Sequence, residues 1–365
     1  VKKVLPKKRW EEYFFQGDGN LIRDVSLSPL LICSWIYGVV VRLRVTLYRK
    51  GIFKTRQLSC KVISVGNITM GGSGKTPLVA ALAKELQQRG LRVAILSRGY
   101  KGASERTGGI VSDGQRQYLT PAEAGDEPFM LARQLPDVPV LVGKKRYAMG
   151  VMAGERFTLD VIILDDGFQH LGVKRDVDLV LVDARRGFGN GRLFPRGPLR
   201  EPLTSLRRAS LIVLSKTESS GSQRTIKKQL RRYVPGIPLY RSRYRPIYLR
   251  DASSGELLTP DWLCGKRVIA FAGIADPEYF FSLVRQSGAK LIREIGFRDH
   301  YTYEINDLVM LRTHAKEVDA FVTTEKDFVK LHQLPLNDLP LYSLGIEHEV
   351  REKEFYQKVL SFLYQ

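Results

Sequence analysis

The chain has 365 residues, 44% of them hydrophobic and 26% charged, ordinary globular proportions that exclude a tract too polar to bury a core and leave room for two domains or one large one. A formal net charge of +20 calls for a partner with negative charge, whether nucleic acid, phosphorylated substrate or anionic lipid headgroups, without choosing among them. Cys33, Cys60 and Cys264 are odd in number, far apart and in no metal-ligand or redox spacing, which excludes a structural zinc site and reads as free thiols in a reducing compartment.

The chain opens on a basic, aromatic segment, Lys7-Lys8-Arg9-Trp10 through Tyr13-Phe14-Phe15, without an apolar run that ends at a small-residue cleavage site, so a cytoplasmic protein is expected. Pro29 to Val41 is the most apolar stretch. Its 13 residues fall short of the roughly 20 that a bilayer-crossing helix needs, so it is not expected to span. Lys2, Lys3, Lys7, Lys8 and Arg9 precede it, and Arg42, Arg44, Arg49, Lys50, Lys54 and Arg56 follow. With the rings of Trp35 and Tyr37, this suits a helix lying in the headgroup layer of an anionic leaflet, where each nearby cation contributes about 1 kcal/mol. A buried core helix with a basic, solvated continuation fits the same residues.

From Lys61 onward short β-branched runs alternate with helical stretches: Val62 to Val65, a helix Pro77 to Arg89, Val93 to Leu96, then Val140 to Val142, Val161 to Leu164, Leu179 to Val182 and Leu211 to Leu214. That alternation predicts a mostly parallel sheet covered on both faces. Ile237 to about Pro260, with its polar turn Asp251 to Gly255, reads as a short two-stranded connector. A second α/β pattern begins at Val268 to Gly273 and continues at Ala320 to Thr323.

The clearest chemical signal is Gly71-Gly72-Ser73-Gly74-Lys75-Thr76, directly after a predicted strand and before a predicted helix, the context a P-loop requires. Glycines let backbone N–H groups wrap phosphate oxygens, Lys75 reaches the β- and γ-phosphates, and the Thr76 hydroxyl is placed for Mg²⁺. The candidate nucleotide-binding segment runs from Thr69 and Met70 through these six residues to Pro77. Thr69 stands where the strict pattern has glycine. A P-loop also needs a carboxylate at the end of a neighbouring strand, and Val161 to Leu164 followed by Asp165-Asp166-Gly167 has that form. Read unaided, Gly125-Asp126-Glu127-Pro128 fits a helix cap, Asp299-His300 a surface pair, and the loop Gly191 to Pro202 either a cationic clamp on phosphate or a solvated Pro-Gly turn.

Together these segments resemble one family over nearly the whole chain, the tetraacyldisaccharide 4'-kinases (lipid A 4'-kinases) of Gram-negative bacteria. The resemblance rests on Ser64-Val65-Gly66-Asn67-Ile68-Thr69 leading into the P-loop, Ser97-Arg98-Gly99-Tyr100, Gly125 to Pro128, Leu164 to His170, Arg196 to Pro202, Phe271-Ala272-Gly273-Ile274, Phe297-Arg298-Asp299-His300 and Thr323-Thr324-Glu325-Lys326-Asp327. Thr69 is ordinary in that family's loop.

The resemblance implies an α/β fold: a P-loop NTPase-like layered α/β/α domain, a second smaller α/β domain joined by a short β connector, and an N-terminal membrane-interface helix. The expected boundaries are 1–58 for the membrane-associating segment, 59–240 for the catalytic domain and 241–365 for the connector and C-terminal domain. It further implies transfer of the γ-phosphate of ATP, with Mg²⁺, to the 4'-hydroxyl of an acylated glucosamine disaccharide 1-phosphate. The enzyme would be a peripheral, monotopic monomer on the cytoplasmic face of the inner membrane, with no nucleic-acid partner. Asp126 is implied as the base, tuned by His300, with closure of two domains bringing them together. Asp165 and Asp166 are implied at the magnesium site with Thr76, and Glu201 in support. Arg146 and Arg200 would steady phosphate charge, Tyr100 and Gln169 line the site, and Asn67 and Glu127 face the substrate. The competing reading, a partition-type ATPase that binds DNA, expects a lysine where Met70 stands, and no aromatic-basic nucleic-acid module is present in the sequence.

Overall fold

The computed structural model describes residues 28–72, 74–218, 223–331, 334–336 and 339–364; the basic opening segment and Ser73 of the P-loop lie outside them. The described residues form two compact units, 28–243 with 350–364, and 244–349.

In the first unit the strands are β1 (Lys61–Asn67), β2 (Val93–Ser97), β3 (Gly109–Ser112), β4 (Val140–Val142), β5 (Val161–Asp165), β6 (Val177–Asp183) and β7 (Leu211–Ser215). Their order is β7-β6-β1-β5-β2-β4-β3, parallel throughout except for β3 against β4. Every residue of β5 and β6 is buried, which is why these strands read as unbroken apolar runs and not as alternating ones. Helices Lys75–Gln88 and Asp126–Gln134 cover one face with Leu78, Leu82, Leu86 and Leu131. On the other, Arg146–Arg156 brings Met149 and Ala153, and Gln223–Tyr233 brings Ile226 and Leu230. The result is the expected α/β/α layering, with β1 at the centre and the P-loop at its C-terminal end, where open α/β sheets bind ligands.

The chain leaves this unit within β8 (Leu239–Asp251), whose residues 239–241 pair with β7, and returns within a strand at Leu341–Val350. The terminal helix Glu354–Leu363 then adds Phe355, Val359 and Leu363, all fully buried, to the first unit's core. Residues from 241 to the end were expected to form one domain. The last turns of chain depart from that, because three apolar side chains worth roughly 1.5–3 kcal/mol each are buried against helix Lys75–Gln88's side of the sheet.

In the second unit β9 (Leu257–Leu258) pairs antiparallel with β8 across the turn at Asp251, whose carboxylate accepts the N–H groups of Ser253 and Ser254. The remaining strands are β10 (Arg267–Ala272), β11 (Lys290–Gly296), β12 (Ala320–Thr324) and β13 (Leu341–Val350), ordered β11-β10-β12-β13-β8. Helix Pro277–Gln286 packs Phe280, Phe281 and Val284 on this sheet, and Asp276 caps it through the Tyr279 N–H.

The apolar stretch near the start is part of a helix, Ser28–Arg49, of 22 residues. The sequence reading limited it to the 13 apolar residues; the helix continues through the arginines, and its length and composition suffice to cross a membrane. Its partition is inverted. Ser34 and Gly38 are buried, whereas Ile32, Trp35, Ile36, Val39, Val40 and Leu43 are exposed, Trp35 by 69%. A core helix would show the reverse.

Candidate active site

Two features of the chain shape the phosphate loop. Gly71 and Gly74 hold left-handed backbone, with φ of +102° and +84°, which allows successive N–H groups to turn toward one centre. Helix Lys75–Gln88 begins immediately after, so Lys75, Thr76 and Pro77 occupy its first turn, where N–H groups have no helical acceptor and a proline costs nothing. The Gly191 to Pro202 loop clasps the strand leading into the P-loop: the Met70 N–H donates to Pro198 O at 2.7 Å, and the Arg200 N–H to Ile68 O at 2.8 Å, with Thr69 bridged to Leu199. The sequence left open whether this loop is a clamp or a solvated turn, and these bonds make it a wall of the site.

Registry brings the paired acids beside the loop, Asp165 lying opposite Val65 on β1. The two differ in kind. Asp165 is buried; Oδ2 accepts from Ser97 Oγ at 3.2 Å, and Oδ1 has no hydrogen-bond partner among the described residues. Burial, with the nearby Glu127 and Asp166 carboxylates, pushes its pKa up to about 7. Asp166 sits in left-handed backbone at the rim, 2.9 Å from Arg200 Nη1 and 3.5 Å from Lys75 Nζ. Burial acts to raise its pKa, but Lys75 and Arg200 outweigh that and hold it well below the usual carboxylate range.

Asp126 and Glu127 open helix Asp126–Gln134. Their turn is pressed against the Ser97 to Gly102 turn so closely that a Cβ on Gly102 would stand 2.4 Å from Glu123 O and 2.7 Å from Gly125 N. That approach sets Asp126 beside the end of β2, and the Thr76 hydroxyl donates to Glu127 Oε2 at 3.4 Å. Tyr100, in the same turn, is exposed.

Arg146, Glu201, Gln169 and Asn67, also expected at the site, lie around the paired acids. Arg146 is buried and donates to Gly143 O at 2.5 Å and Asp165 O at 3.3 Å; it braces the backbone under the acids, and burial lowers its pKa to about 10 against the pull of Asp165 and Asp166. Glu201 accepts from Arg208 Nη2 with both oxygens, at 3.1 and 2.9 Å, and from Gln169 Nε2 at Oε1, at 3.2 Å. Gln169 also donates to Asn67 O at 2.9 Å, so Asn67, Gln169 and Glu201 form one bracket behind Asp166, with Asn67 fully buried. Arg208, which stacks over Phe168 at 4.5 Å, and Ser97 were missed by the sequence reading. Ser97 stands at the end of β2 and within the Ser97-Arg98-Gly99-Tyr100 match, where no role had been assigned to it.

In the second unit His300 has left-handed backbone, φ +57°, and its N–H donates to Gly273 O at 3.1 Å. Lys326 Nζ lies 3.4 Å from His300 Nε2 and 3.5 Å from Asp299 Oδ1. Asp327 is fully buried and accepts from the Gly273 N–H at 2.8 Å and Thr324 Oγ1 at 2.7 Å, tying the ends of β10 and β12 together. Asp126 and His300 belong to different units.

Among the described residues no three acidic, cysteine or histidine side chains converge to hold a metal by themselves. A P-loop magnesium takes much of its coordination from phosphates, water and a hydroxyl, so two acids and a threonine are enough protein. Asp165 fits that use, since a buried, unpartnered carboxylate oxygen with a raised pKa is what a cation would relieve.

The family model for tetraacyldisaccharide-1-P 4'-kinase matches residues 27–364. Curated relatives named tetraacyldisaccharide 4'-kinase include that of Desulfatibacillum aliphaticivorans, 40% identical over 91% of this chain and 91% of its own length. That of Syntrophus aciditrophicus is 41% identical over 93% and 95%, and that of Geobacter metallireducens 44% over 84% and 88%. A crystal structure of LpxK from Aquifex aeolicus in complex with ATP superposes with a TM-score of 0.72 at 33% identity, covering 93% of this chain and 99% of that one.

Proposed function

The chain belongs to the tetraacyldisaccharide-1-P 4'-kinase family, and we propose how its residues divide the work of that reaction. It is an ATP-dependent kinase that phosphorylates the 4'-hydroxyl of tetraacyldisaccharide 1-phosphate, a lipid A precursor. The observation that carries the assignment is the convergence of Lys75, Asp166 and Arg200 at the mouth of a P-loop whose approach strand is clasped by the loop bearing Arg200.

Lys75 and the N–H groups of the first helical turn bind the β- and γ-phosphates of ATP. Lys75 and Arg200 both lean on Asp166, which orients the cations that meet the γ-phosphate at low reorganisation cost. Mg²⁺ would be held by Thr76, Asp165 and Asp166, where it would supply positive charge against the phosphates. Arg146, Gln169, Asn67 and Glu201 keep that edge rigid through backbone and side-chain bonds. Asp126, in a first helical turn where the dipole favours negative charge, accepts the proton of the 4'-hydroxyl as its oxygen attacks the γ-phosphorus; the bond from that phosphorus to the β–γ bridging oxygen breaks and ADP leaves with the oxygen. Glu127 orients Thr76, and the exposed Tyr100 ring faces the sugar. His300 is assigned to the same proton transfer by family resemblance, and Lys326 Nζ stands beside its imidazole.

The exposed apolar face of helix Ser28–Arg49, with its arginines, supports docking to an anionic membrane on the cytoplasmic side, where the acyl chains of the substrate reside.

The test is transfer of labelled γ-phosphate from Mg-ATP to tetraacyldisaccharide 1-phosphate in detergent micelles, for the native protein, Lys75→Ala and Asp126→Asn. Labelled lipid from the native protein and loss of most of the rate in both variants is expected. Asp126→Asn turning over at the native rate would remove it as the base.

A further inference from the structure

A buried ion pair outside the residues assigned so far touches the P-loop from the side opposite Asp165. Asp183 ends β6, Lys216 directly follows β7, and the two strands stand in register with Asp183 opposite Ser215. Lys216 Nζ lies 2.7 Å from Asp183 Oδ2 and 3.3 Å from the carbonyl oxygen of Gly72, and the two side chains are only 4% and 5% exposed. Lys216 adopts left-handed backbone, φ +59°, a conformation that is unfavourable for a side chain of its size. The other oxygen of Asp183 accepts the N–H groups of Arg185 at 2.8 Å and Arg186 at 3.2 Å. Arg186 Nη1 comes within 3.7 Å of where a Cβ on Gly71 would stand.

Stability does not account for this arrangement. Desolvating two charges costs several kcal/mol, and an apolar pair of similar volume is often as stable or more so. The pair is explained by what it holds. A P-loop binds phosphate only if its N–H groups face inward, and a planar peptide that presents its N–H to one side presents its carbonyl to the other. Gly72 is exposed and glycine backbone has freedom to turn over, so the orientation of that peptide depends on what holds its carbonyl. The Lys216 ammonium supplies a charged donor to the Gly72 carbonyl, and Asp183 fixes where that ammonium sits.

We propose that Asp183 and Lys216 are positioning residues that hold the P-loop in its phosphate-binding conformation before ATP arrives, with Asp183 also fixing the backbone of Arg186, whose guanidinium reaches toward Gly71. The proposal rests on the P-loop being the ATP site, and the experiment separates the two. ATP binding by isothermal titration, KM for ATP, KM for the lipid acceptor and melting temperature are measured for the native protein, Lys75→Ala, Lys216→Met, Asp183→Asn and the double variant. Lys216→Met should weaken ATP binding and raise KM for ATP about tenfold while KM for the acceptor stays within about twofold. Asp183→Asn should act in the same direction by about threefold, and the double variant should be little worse than Lys216→Met, because both act through one carbonyl. A lowered melting temperature with unchanged ATP affinity would mean a merely structural pair and overturn the proposal. Should Lys216→Met fail to fold, the ATP affinity of Asp183→Asn decides by the same criterion. Lys75→Ala with native ATP affinity would instead overturn the P-loop as nucleotide site.

Discussion

At the C-terminal edge of the first sheet Asp165, Arg146, Asp183 and Lys216 are charged and buried, while along helix Ser28–Arg49 Ile32, Trp35 and Val40 are apolar and exposed. Both regions reverse the usual partition of side chains, in opposite directions, and neither reversal helps the isolated chain to be stable. Each is accounted for by something the chain meets: polyphosphate and a cation at the sheet edge, hydrocarbon along the helix. The terminal helix Glu354–Leu363 is the control, since its Phe355, Val359 and Leu363 are apolar and fully buried.

The comparison breaks first at Lys75. Lys75→Ala should lower kcat by about 10³, the scale for removing a charge-stabilising donor, with little change in melting temperature, measured by phosphoryl transfer and calorimetry. Phe355→Ala and Trp35→Ala sharpen the contrast between helices. The first should cost about 3–5 kcal/mol of stability, and the second less than about 0.5 kcal/mol, by denaturant unfolding in the absence of lipid. On vesicles containing anionic lipid the order reverses: Trp35→Glu with Val39→Glu should weaken sedimentation with the vesicles by roughly tenfold or more, with ATP affinity unchanged. Equal vesicle binding would mean that the exposed face covers something other than a membrane.

A pH effect of about the same size is expected at the sheet edge. Because Asp165 is shifted up to about 7, the folded protein holds a proton there that the unfolded chain, near 4, has already released. Its contribution to stability is therefore greatest at low pH and declines as pH rises from about 4 toward 7. A cation must displace that proton, so Mg²⁺ affinity should fall up to about tenfold for each pH unit below 7, and chelation should matter more at pH 7.5 than at pH 5.5. Asp166, shifted down, stays ionised through this window and contributes no slope. A pH-independent Mg²⁺ affinity from 5.5 to 7.5 would remove Asp165 from the metal site. Between Phe355→Ala and Trp35→Ala falls Ser34→Ala, where a hydroxyl that donates to Leu193 O at 2.8 Å and accepts the Arg196 N–H at 2.9 Å is lost, at about 1–2 kcal/mol by the same unfolding measurement.

What depended on neighbours along the chain was legible in the residues. A β-branched run followed by glycines, Lys75 and Thr76 could only be a strand, a turn and a helix start, and the apolar run before Asp165 and Asp166 had to be a strand covered on both faces. Those signals rest on local backbone sterics and on a hydrophobic period that a few consecutive residues display. What depended on residues over a hundred positions apart was decided only by the tertiary structure. Helix Glu354–Leu363 joins the first unit because the chain returns through β13, and Ser34 is buried because Leu193 and Arg196 meet it. Closer in the chain, Arg146 meets the Asp165 carbonyl 19 residues on and Glu201 meets Arg208 seven residues on, partners that no local backbone pattern announces. Residue types declared the chemistry available to this protein; the fold decided which charges face the phosphates and which hold the others in place.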